Sequence, residues 1–219
     1  MKKRSVTPSI LNVEPADRVA MVTQLISQGI DWVHYDVMDG KFVPNTAIEF
    51  AELENINKLC PQHFKDVHLM IENPLQQLEK YKDVADIITF HFEATDEDEL
   101  FDFVQKQKHN LNLGLAIKPN TSVTSIERYL PYLALVLVMS VEPGAGGQKF
   151  IETTYEKVKA LKLLRLKHQH NFLIQVDGGI NNVTGPLTFK AGADACVAGT
   201  FLIKEPTKER IASILYGKK

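Results

Sequence analysis

The segment Leu133-Ala-Leu-Val-Leu-Val-Met139 decides the fold, because it runs without a charge, a glycine or a proline. An apolar run of this kind is typical of a strand that is buried on both faces, as the strands of a parallel sheet between helices are. Further strand-like runs occur along the whole chain. Together, the predicted strands cover 6–10, 32–38, 66–71, 86–92, 111–117, 134–141, 172–176 and 195–198.

Segments with helical features separate these runs. Between 154 and 167, apolar residues recur every third or fourth position, as on one face of a helix. Asn73 before a proline and Thr95 before a run of acidic residues are predicted N-caps, and Glu205 is predicted to open the last helix. Strands and helices therefore alternate along the chain.

Strict alternation leaves two main architectures, an open doubly wound sheet or a closed barrel. Eight units in 219 residues come to about 27 residues each, an ordinary size for a βα unit. Neither a long linker nor a shift in composition divides the chain. We therefore predict an α/β protein with a (β/α)8 TIM barrel, a closed parallel sheet of eight strands, in one domain over residues 1–219.

The composition argues against several functional classes. The 25 basic and 27 acidic residues give a formal net charge of −2, which offers no electrostatic basis for binding nucleic acid or a membrane surface. No apolar run approaches the roughly 20 residues of a membrane span. Cys60 and Cys196 are far apart and lack a C-x-x-C partner, so we expect free thiols in a reducing, cytoplasmic compartment.

Histidine and aspartate gather at the strand ends, where barrels of this type carry their chemistry. His34 and Asp36 are two residues apart, so a strand points both to one face, the barrel interior. His68 and Asp177 end two other strands and can converge there. Imidazole and carboxylate suit zinc, iron, manganese or cobalt, so we predict a site for one divalent metal ion. A His-x-Asp pair alone would indicate only an interior hydrogen bond, and Asp39, before a glycine, is interpreted as turn-forming.

Glycine-rich segments follow the last three predicted strands, at 143–148, Gly178-Gly179 and Gly199-Thr200. Glycines allow backbone N–H groups to approach and point at phosphate oxygens, and the last strand loops are the usual phosphate site of such barrels. One glycine pair more often makes a tight turn, but three adjacent loops favour phosphate binding. Lys118 either steers an anion or opens a loop before a proline.

Other strand ends carry side chains with less specific meaning. His91 and Glu93 close the fourth predicted strand. Met38, Met70 and Met139 also fall at strand ends. They either fill space at the top of the barrel as apolar side chains or form a dry, polarizable floor beside the metal.

Several segments resemble the ribulose-phosphate 3-epimerase family. They are Pro8-Ser-Ile-Leu-Asn12, His34-Tyr-Asp-Val-Met-Asp-Gly-Lys-Phe-Val-Pro-Asn45, Asp66-Val-His-Leu-Met70, Val138-Met-Ser-Val-Glu-Pro-Gly144 and Val176-Asp-Gly-Gly-Ile180. The likeness extends from the first strand through Gly199-Thr200. It implies the barrel fold and the metal-dependent interconversion of D-ribulose 5-phosphate and D-xylulose 5-phosphate, a step of the pentose phosphate pathway, by epimerisation at C3.

The resemblance also implies roles for individual residues. It places the metal on His34, Asp36, His68 and Asp177, and it makes the two aspartates the acid–base pair on opposite faces of a planar enediolate. Contacts to the sugar phosphate carry over to Ser9, His68, Gly144, Ala145, Gly146, Gly147, Gly178, Gly179, Gly199 and Thr200.

Three positions depart from the family pattern. Ala145 stands where the family commonly has Phe, which predicts a looser lid over the substrate. Thr200 replaces the usual Ser and keeps the hydroxyl. Asn12 occurs in only part of the family. None of these changes removes a catalytic group.

Other functions remain as alternatives. An epimerase for a related ketose phosphate, such as D-allulose 6-phosphate, would use the same residues. A phosphate-binding lyase or decarboxylase would usually need a lysine near the reacting carbon, and only Lys118 lies at a strand end. A barrel kept as a ligand sensor or scaffold would have a broken ligand set. We expect the chain to form a homo-oligomer.

Overall fold

The computed structural model describes residues 4–217 and contains a nine-stranded sheet flanked by helices. The strands are β1 (Ser5–Pro8), β2 (Trp32–Asp39), β3 (Thr46–Ala47), β4 (Phe64–Met70), β5 (Ile87–His91), β6 (Leu113–Ile117), β7 (Leu135–Met139), β8 (Leu173–Asp177) and β9 (Ala195–Ala198). All pairings are parallel except that of β3 with β2.

The parallel strands follow one another around a barrel. Their order is β1-β9-β8-β7-β6-β5-β4-β2, and the seam between β1 and β2 carries a single parallel bridge from Ser9 to His34. The predicted (β/α)8 barrel is therefore confirmed, and this seam is its least extensively hydrogen-bonded joint.

Helices cover the outside of the sheet. They are α1 (Arg18–Ser27), α2 (Phe50–Leu59), α3 (Leu78–Tyr81), α4 (Glu97–Gln107), α5 (Thr154–Lys167), α6 (Thr184–Ala191), α7 (Thr200–Ile203) and α8 (Lys208–Tyr216). Short 3₁₀ helices at Pro15–Asp17, Pro74–Gln76 and Phe92–Ala94, and a longer one at Val123–Tyr132, complete the connections. Among residues 4–217, none of these helices is long and apolar enough to cross a bilayer.

The strand β7 shows why an uninterrupted apolar run was needed. Leu135, Leu137 and Met139 pack inside the barrel, whereas Val136 and Val138 belong to the large cluster between the sheet and the helices. Each of the five is at most 2% exposed. Burial of such a side chain stabilises the fold by about 1.5–3 kcal/mol, so both faces of the strand contribute.

The strand β3 was not expected from the sequence. It pairs with the end of β2, where Met38 lies opposite Ala47 and Asp39 opposite Thr46. The Asp39 carboxylate accepts hydrogen bonds from the backbone N–H groups of Lys41 at 2.9 Å and Phe42 at 3.0 Å, which holds the turn. Its predicted turn-forming role is confirmed, and the turn returns the chain beside β2.

The helix starts differ from the predicted ones. Asn73 does not cap with its side chain, because its backbone is in the left-handed region with φ of 50°. Asp96, not Thr95, caps α4 by accepting from two backbone N–H groups of the first turn, since a carboxylate suits the positive end of a helix. The last helix begins at Lys208, capped by Thr207, and not at Glu205.

Candidate metal centre and active site

Four predicted side chains meet at the top of the barrel. His34 and Asp36 come from β2, His68 from β4 and Asp177 from the end of β8. In the register of the sheet, Asp36 lies directly beside His68. One ligand atom from each of the four lies within 4.8 Å of the others. Side chains alternate along β2, so His34 and Asp36 share a face, and the pairing of β2 with β4 places His68 beside them.

The donor atoms fit a metal ion. His34 Nε2 and His68 Nδ1 each lie 3.4 Å from Asp36 Oδ1 and 3.9 Å from Asp177 Oδ2. Ligands bound to zinc in a tetrahedron are roughly 3.3–3.5 Å apart, so these separations need little adjustment. Within the described part of the chain, both nitrogens are buried and lack a hydrogen-bond partner. Unpaired buried nitrogens are costly, and a cation would satisfy them.

The imidazole of His34 is held from behind by a buried carboxylate. Its Nδ1 lies 2.8 Å from Asp66 Oδ2, and the same oxygen accepts a hydrogen bond from Gln175 Nε2 at 2.7 Å. All three side chains are fully buried. A carboxylate accepts, so Nδ1 carries a proton, and Nε2 is the nitrogen that faces the centre and can bind a cation once it gives up its own proton. Neither Asp66 nor Gln175 is predicted as a site residue from the sequence.

The imidazole of His68 is held by a longer chain of side chains. Its Nε2 lies 2.9 Å from His91 Nε2, and His91 Nδ1 lies 3.1 Å from Glu93 Oε2. Glu93 Oε1 accepts from the backbone N–H of Lys118 at 2.7 Å and from the hydroxyl of Thr121. His91 is fully buried, whereas the Glu93 side chain is 20% exposed.

The two aspartates have opposite electrostatic environments. Burial, and then the charge of Asp36, raise the pKa of the Asp177 carboxyl to about 6. Burial also opposes ionisation of Asp36, but the neighbouring imidazoles of His34 and His68 outweigh it and hold the pKa of Asp36 well below its ordinary value. Ser9 Oγ donates a hydrogen bond of 2.5 Å to Asp36 Oδ2, which further favours the carboxylate.

The histidines differ in the same way. Burial lowers the pKa of His34, but the charges of Asp66 and Asp36 outweigh this effect and raise it well above its ordinary value. Burial lowers the pKa of His91 to about 4, so this ring is neutral near pH 7. Burial works against ionisation of Glu93, yet its hydrogen bonds lower its pKa to about 2. A cation at the centre would compete with the proton of His34.

A cavity of about 680 Å³ opens above the four ligands. Its volume is ordinary for a small-molecule site. Among the predicted site residues, the cavity is lined by Ser9, Asp36, Met38, Met70, Met139, Gly144, Ala145, Gly146, Gly147, Asp177, Gly178, Gly179, Gly199 and Thr200. His34 and His68 are fully buried and are not among the residues that line the cavity.

The glycines of the cavity wall allow segments to approach closely. Gly178 and Gly179 have φ of 117° and 61°, a region that favours glycine. A Cβ on Gly178 would lie 2.5 Å from Val141 Cγ2, and one on Gly179 would lie 2.6 Å from the backbone nitrogen of Phe150. Side chains at these positions would therefore displace the loops that surround the cavity.

Polar side chains hold the loop between β7 and α5 over the cavity. Asn45 Nδ2 donates to the carbonyl of Gly144 at 2.7 Å, and Gln148 Nε2 donates to the carbonyl of Ala145 at 2.8 Å. Nearby, Asn12 Nδ2 donates to Thr200 Oγ1 at 2.8 Å. Except for Asn12, the donors of these bonds were not singled out from the sequence, because an asparagine in a loop has no distinctive pattern.

Lysines take positions that the sequence could not assign. The Lys118 ammonium lies 4.4 Å from the ring centroid of Phe42, and Lys118 is not among the residues that line the cavity, so it starts the loop and does not face the ligand space. Lys204, which follows α7, does line the cavity mouth. Its position at the end of a short helix after β9 gave no signal in the sequence.

Comparison with known proteins gives the relationship of the chain. The model of the ribulose-phosphate 3-epimerase family matches residues 5–203. The chain belongs to this family. A ribulose-phosphate 3-epimerase of Bacillus subtilis is 37% identical over 217 residues, which are 98% of this chain and 99% of that protein. The resemblance and the expected isomerase class are therefore confirmed.

Relatives occur in other kingdoms. A ribulose-phosphate 3-epimerase of Candida glabrata is 36% identical, over 98% of this chain and 92% of that protein. The chloroplastic ribulose-5-phosphate-3-epimerase of Arabidopsis thaliana is 37% identical, over 89% of this chain and 70% of that protein. The match thus spans nearly the whole of the bacterial and yeast relatives and 70% of the chloroplastic one.

The fold is more widespread than the family. A chain in a solved structure of tryptophan synthase from M. tuberculosis superimposes with a TM-score of 0.63 at 14% identity, over 97% of this chain and 92% of that chain. Similarity at this level of identity supports the barrel fold alone.

Proposed function

We propose that the chain interconverts D-ribulose 5-phosphate and D-xylulose 5-phosphate by moving the proton at C3, with Asp36 and Asp177 as its two acid–base groups. The observation that carries the proposal is the geometry of this pair. The two carboxylates come from strands three places apart around the barrel, and each lies within 3.9 Å of the same two imidazole nitrogens. They thus border one small space at the floor of the cavity.

Inversion at carbon needs a proton acceptor on one face and a proton donor on the other. In the metal-free site the pKa of Asp36 is held low and that of Asp177 is raised to about 6, so Asp177 is the carboxyl that more readily carries a proton. In this assignment Asp36 removes the C3 proton of one epimer and Asp177 returns a proton to the opposite face. The reverse reaction exchanges the two roles, and Ser9 keeps Asp36 oriented throughout.

One divalent cation, zinc, iron, manganese or cobalt, is proposed on His34, Asp36, His68 and Asp177, and when bound it supplies positive charge beside the oxygens that become negative in the enediolate. The residues of the chain do the remaining work. Asp36 and Asp177 hold and move protons. The backbone N–H groups of the glycine loops are proposed to bind the phosphate, in agreement with their place after the last barrel strands.

The test replaces each carboxylate by its amide. We expect Asp36→Asn and Asp177→Asn, assayed with saturating Mn²⁺, each to lower kcat for D-ribulose 5-phosphate by about 10³-fold or more, because a single acid–base group contributes about 10²–10⁴-fold. Asp39→Asn is a matched control, since its carboxylate accepts only from backbone N–H groups, those of Lys41, Phe42 and Glu72, and does not line the cavity. It should retain activity within about tenfold, a range set by the modest worth of one hydrogen bond.

Isotope exchange sharpens the test. In D₂O, the wild-type chain should place deuterium at C3 of both epimers, and neither amide variant should do so. Full activity of either variant would reject the two-carboxylate scheme. Faster turnover of a six-carbon ketose phosphate, such as D-allulose 6-phosphate, would keep the scheme and change the substrate, a possibility raised by the small Ala145 at the cavity wall.

A further inference from the structure

The chain of side chains behind His68 extends the metal centre to the surface of the barrel. We propose that Glu93 and His91 are positioning residues that decide which nitrogen of His68 is free to bind the metal. This inference rests on the proposed function only in taking His68 as a ligand. It assigns a task to a carboxylate that neither binds the cation nor lines the cavity.

The two histidines share one proton. His68 Nε2 and His91 Nε2 lie 2.9 Å apart, their ring centroids are 5.0 Å apart, and both rings are fully buried. Two ring nitrogens at this distance make a hydrogen bond only if one carries a proton and the other presents a lone pair. A neutral imidazole has one proton, so the choice at this bond determines the protonation of both outer nitrogens.

Glu93 determines which of the two Nε2 atoms carries the proton. One of its oxygens accepts from the backbone N–H of Lys118 and the hydroxyl of Thr121, and the other lies 3.1 Å from His91 Nδ1. A carboxylate only accepts hydrogen bonds, so His91 Nδ1 must donate and His91 Nε2 must accept. His68 Nε2 then carries the proton of the shared bond.

The consequence reaches the metal centre. With its proton on Nε2, His68 has a free lone pair on Nδ1, the nitrogen that lies 3.4 Å from Asp36 and has no hydrogen-bond partner within the described residues. The opposite arrangement would place a proton on Nδ1 and aim it at the cation. The His91 ring packs against Phe42, with centroids 4.8 Å apart, and this contact restrains the ring from rotating away from its hydrogen bonds.

A glutamine at position 93 should reverse the chain. The amide oxygen is claimed by the two donors from Lys118 and Thr121, so the amide NH₂ faces His91 and donates to Nδ1. His91 Nε2 must then carry the proton, and His68 is left with its proton on the metal-facing nitrogen. An alanine at the same position imposes no choice, because water can reach this partly exposed site. The isosteric substitution is therefore expected to do more harm than the truncation.

The experiment measures metal binding, without turnover. We expect Glu93→Gln to weaken Co²⁺ binding, followed by its visible absorption, by about 10–100-fold, the usual effect of losing such a supporting residue, and Glu93→Ala to weaken it by about tenfold or less. Glu72→Gln makes the same chemical change on an exposed side chain and should bind Co²⁺ as the wild type does. A merely structural role of Glu93 predicts the opposite order of the Gln and Ala variants.

The imidazole tautomers are measured independently. Long-range ¹H–¹⁵N NMR of the metal-free protein should place the His91 proton on Nδ1 in the wild type and on Nε2 in Glu93→Gln. A wild-type His91 with its proton on Nε2 would overturn the proposal even if the variants did not fold, as would equal Co²⁺ affinity of Glu93→Gln and the wild type. If the wild type binds no Co²⁺, the metal site of the proposed function fails, and the NMR result still decides this inference.

Discussion

Along β2, β4 and β5, the barrel mouth is walled by side chains that bond to one another, whereas along β7, β8 and β9 it is walled largely by backbone. In the first region, the polar wall, His34, Asp66, His68 and His91 are fully buried and each is hydrogen-bonded. In the second, the glycine wall, the loops after β7 and β8 carry glycines with positive φ, and Gly199 follows β9 with a φ of −86°. Asp177 belongs to the glycine wall, and its side chain is 17% exposed.

The difference teaches how the site divides its tasks. Hydrogen bonds between buried side chains fix the polar wall, and it presents two ring nitrogens and one ionised carboxylate to the centre. The glycine wall carries no such network. It offers backbone N–H groups and a carboxyl whose pKa is raised to about 6. We infer that the polar wall holds the cation and the glycine wall accommodates the anion.

The largest expected effect is a difference of sign between the two aspartates in metal-free protein prepared by chelation. Asp36→Asn should lower the free energy of unfolding by about 3 kcal/mol at pH 8, because it removes one member of a buried ionic network. Asp177→Asn should raise it by up to about 3 kcal/mol at that pH, because ionising a carboxyl whose pKa is raised to about 6 opposes folding. Urea unfolding measures both.

The sign of the Asp177 effect depends on pH. Its pKa is raised on folding, so the wild type has its full stability relative to Asp177→Asn below the ordinary pKa of 3.8 and loses it as the pH rises to about 6. The two proteins should be equally stable near pH 3.5, and the variant more stable above pH 6. If Asp177→Asn is the less stable at pH 8, the two walls do not differ as described.

The contrast between the two walls also explains which residues of the site could be predicted from the sequence. The residues of the candidate metal centre could be predicted, because His34 and Asp36 show the period of a strand and barrels place function at strand ends. The support behind them was not predictable. The Asp66 carboxylate accepts a hydrogen bond from Gln175, which is 109 residues away in sequence. The register between neighbouring strands decides which side chains meet, and the amino-acid sequence contains no pattern that reveals this register.

Loop geometry was predictable only in part. The glycines of 143–148 and 178–179 indicated close backbone approach, and the structure explains Gly178 and Gly179 by neighbours that leave no room for a Cβ. The short strand β3 and the bond from Asn45 to Gly144 had no signal, because each depends on how two loops meet. The observed helix starts differ from the predicted ones by one or two residues, because adjacent side chains can each serve as the cap.

A smaller effect is expected from adding methyl groups to the glycine wall. Gly179→Ala should lower the free energy of unfolding by about 2 kcal/mol, because a φ of 61° and a Cβ at 2.6 Å from the Phe150 nitrogen combine strain with a clash. Gly147→Ala separates the two causes. It has a φ of 79° but open space to 3.8 Å, so it should cost about 1 kcal/mol. Equal losses would mean that close packing does not shape this wall.

The smallest expected effect concerns the contact between the walls. Asn45→Ala removes the hydrogen bond from the β2–β3 turn to the Gly144 carbonyl, so the loop over the cavity is held less firmly. A lost hydrogen bond of about 1 kcal/mol predicts a KM for D-ribulose 5-phosphate about fivefold higher with kcat nearly unchanged, because the proton-transfer groups remain in place. Asn112→Ala is the control, since it removes a similar side chain to backbone bond, to Asp86, and should leave both constants unchanged. A fall in kcat as large as the rise in KM would show that the loop positions the reacting groups. The polar wall and the glycine wall would then not have separate tasks.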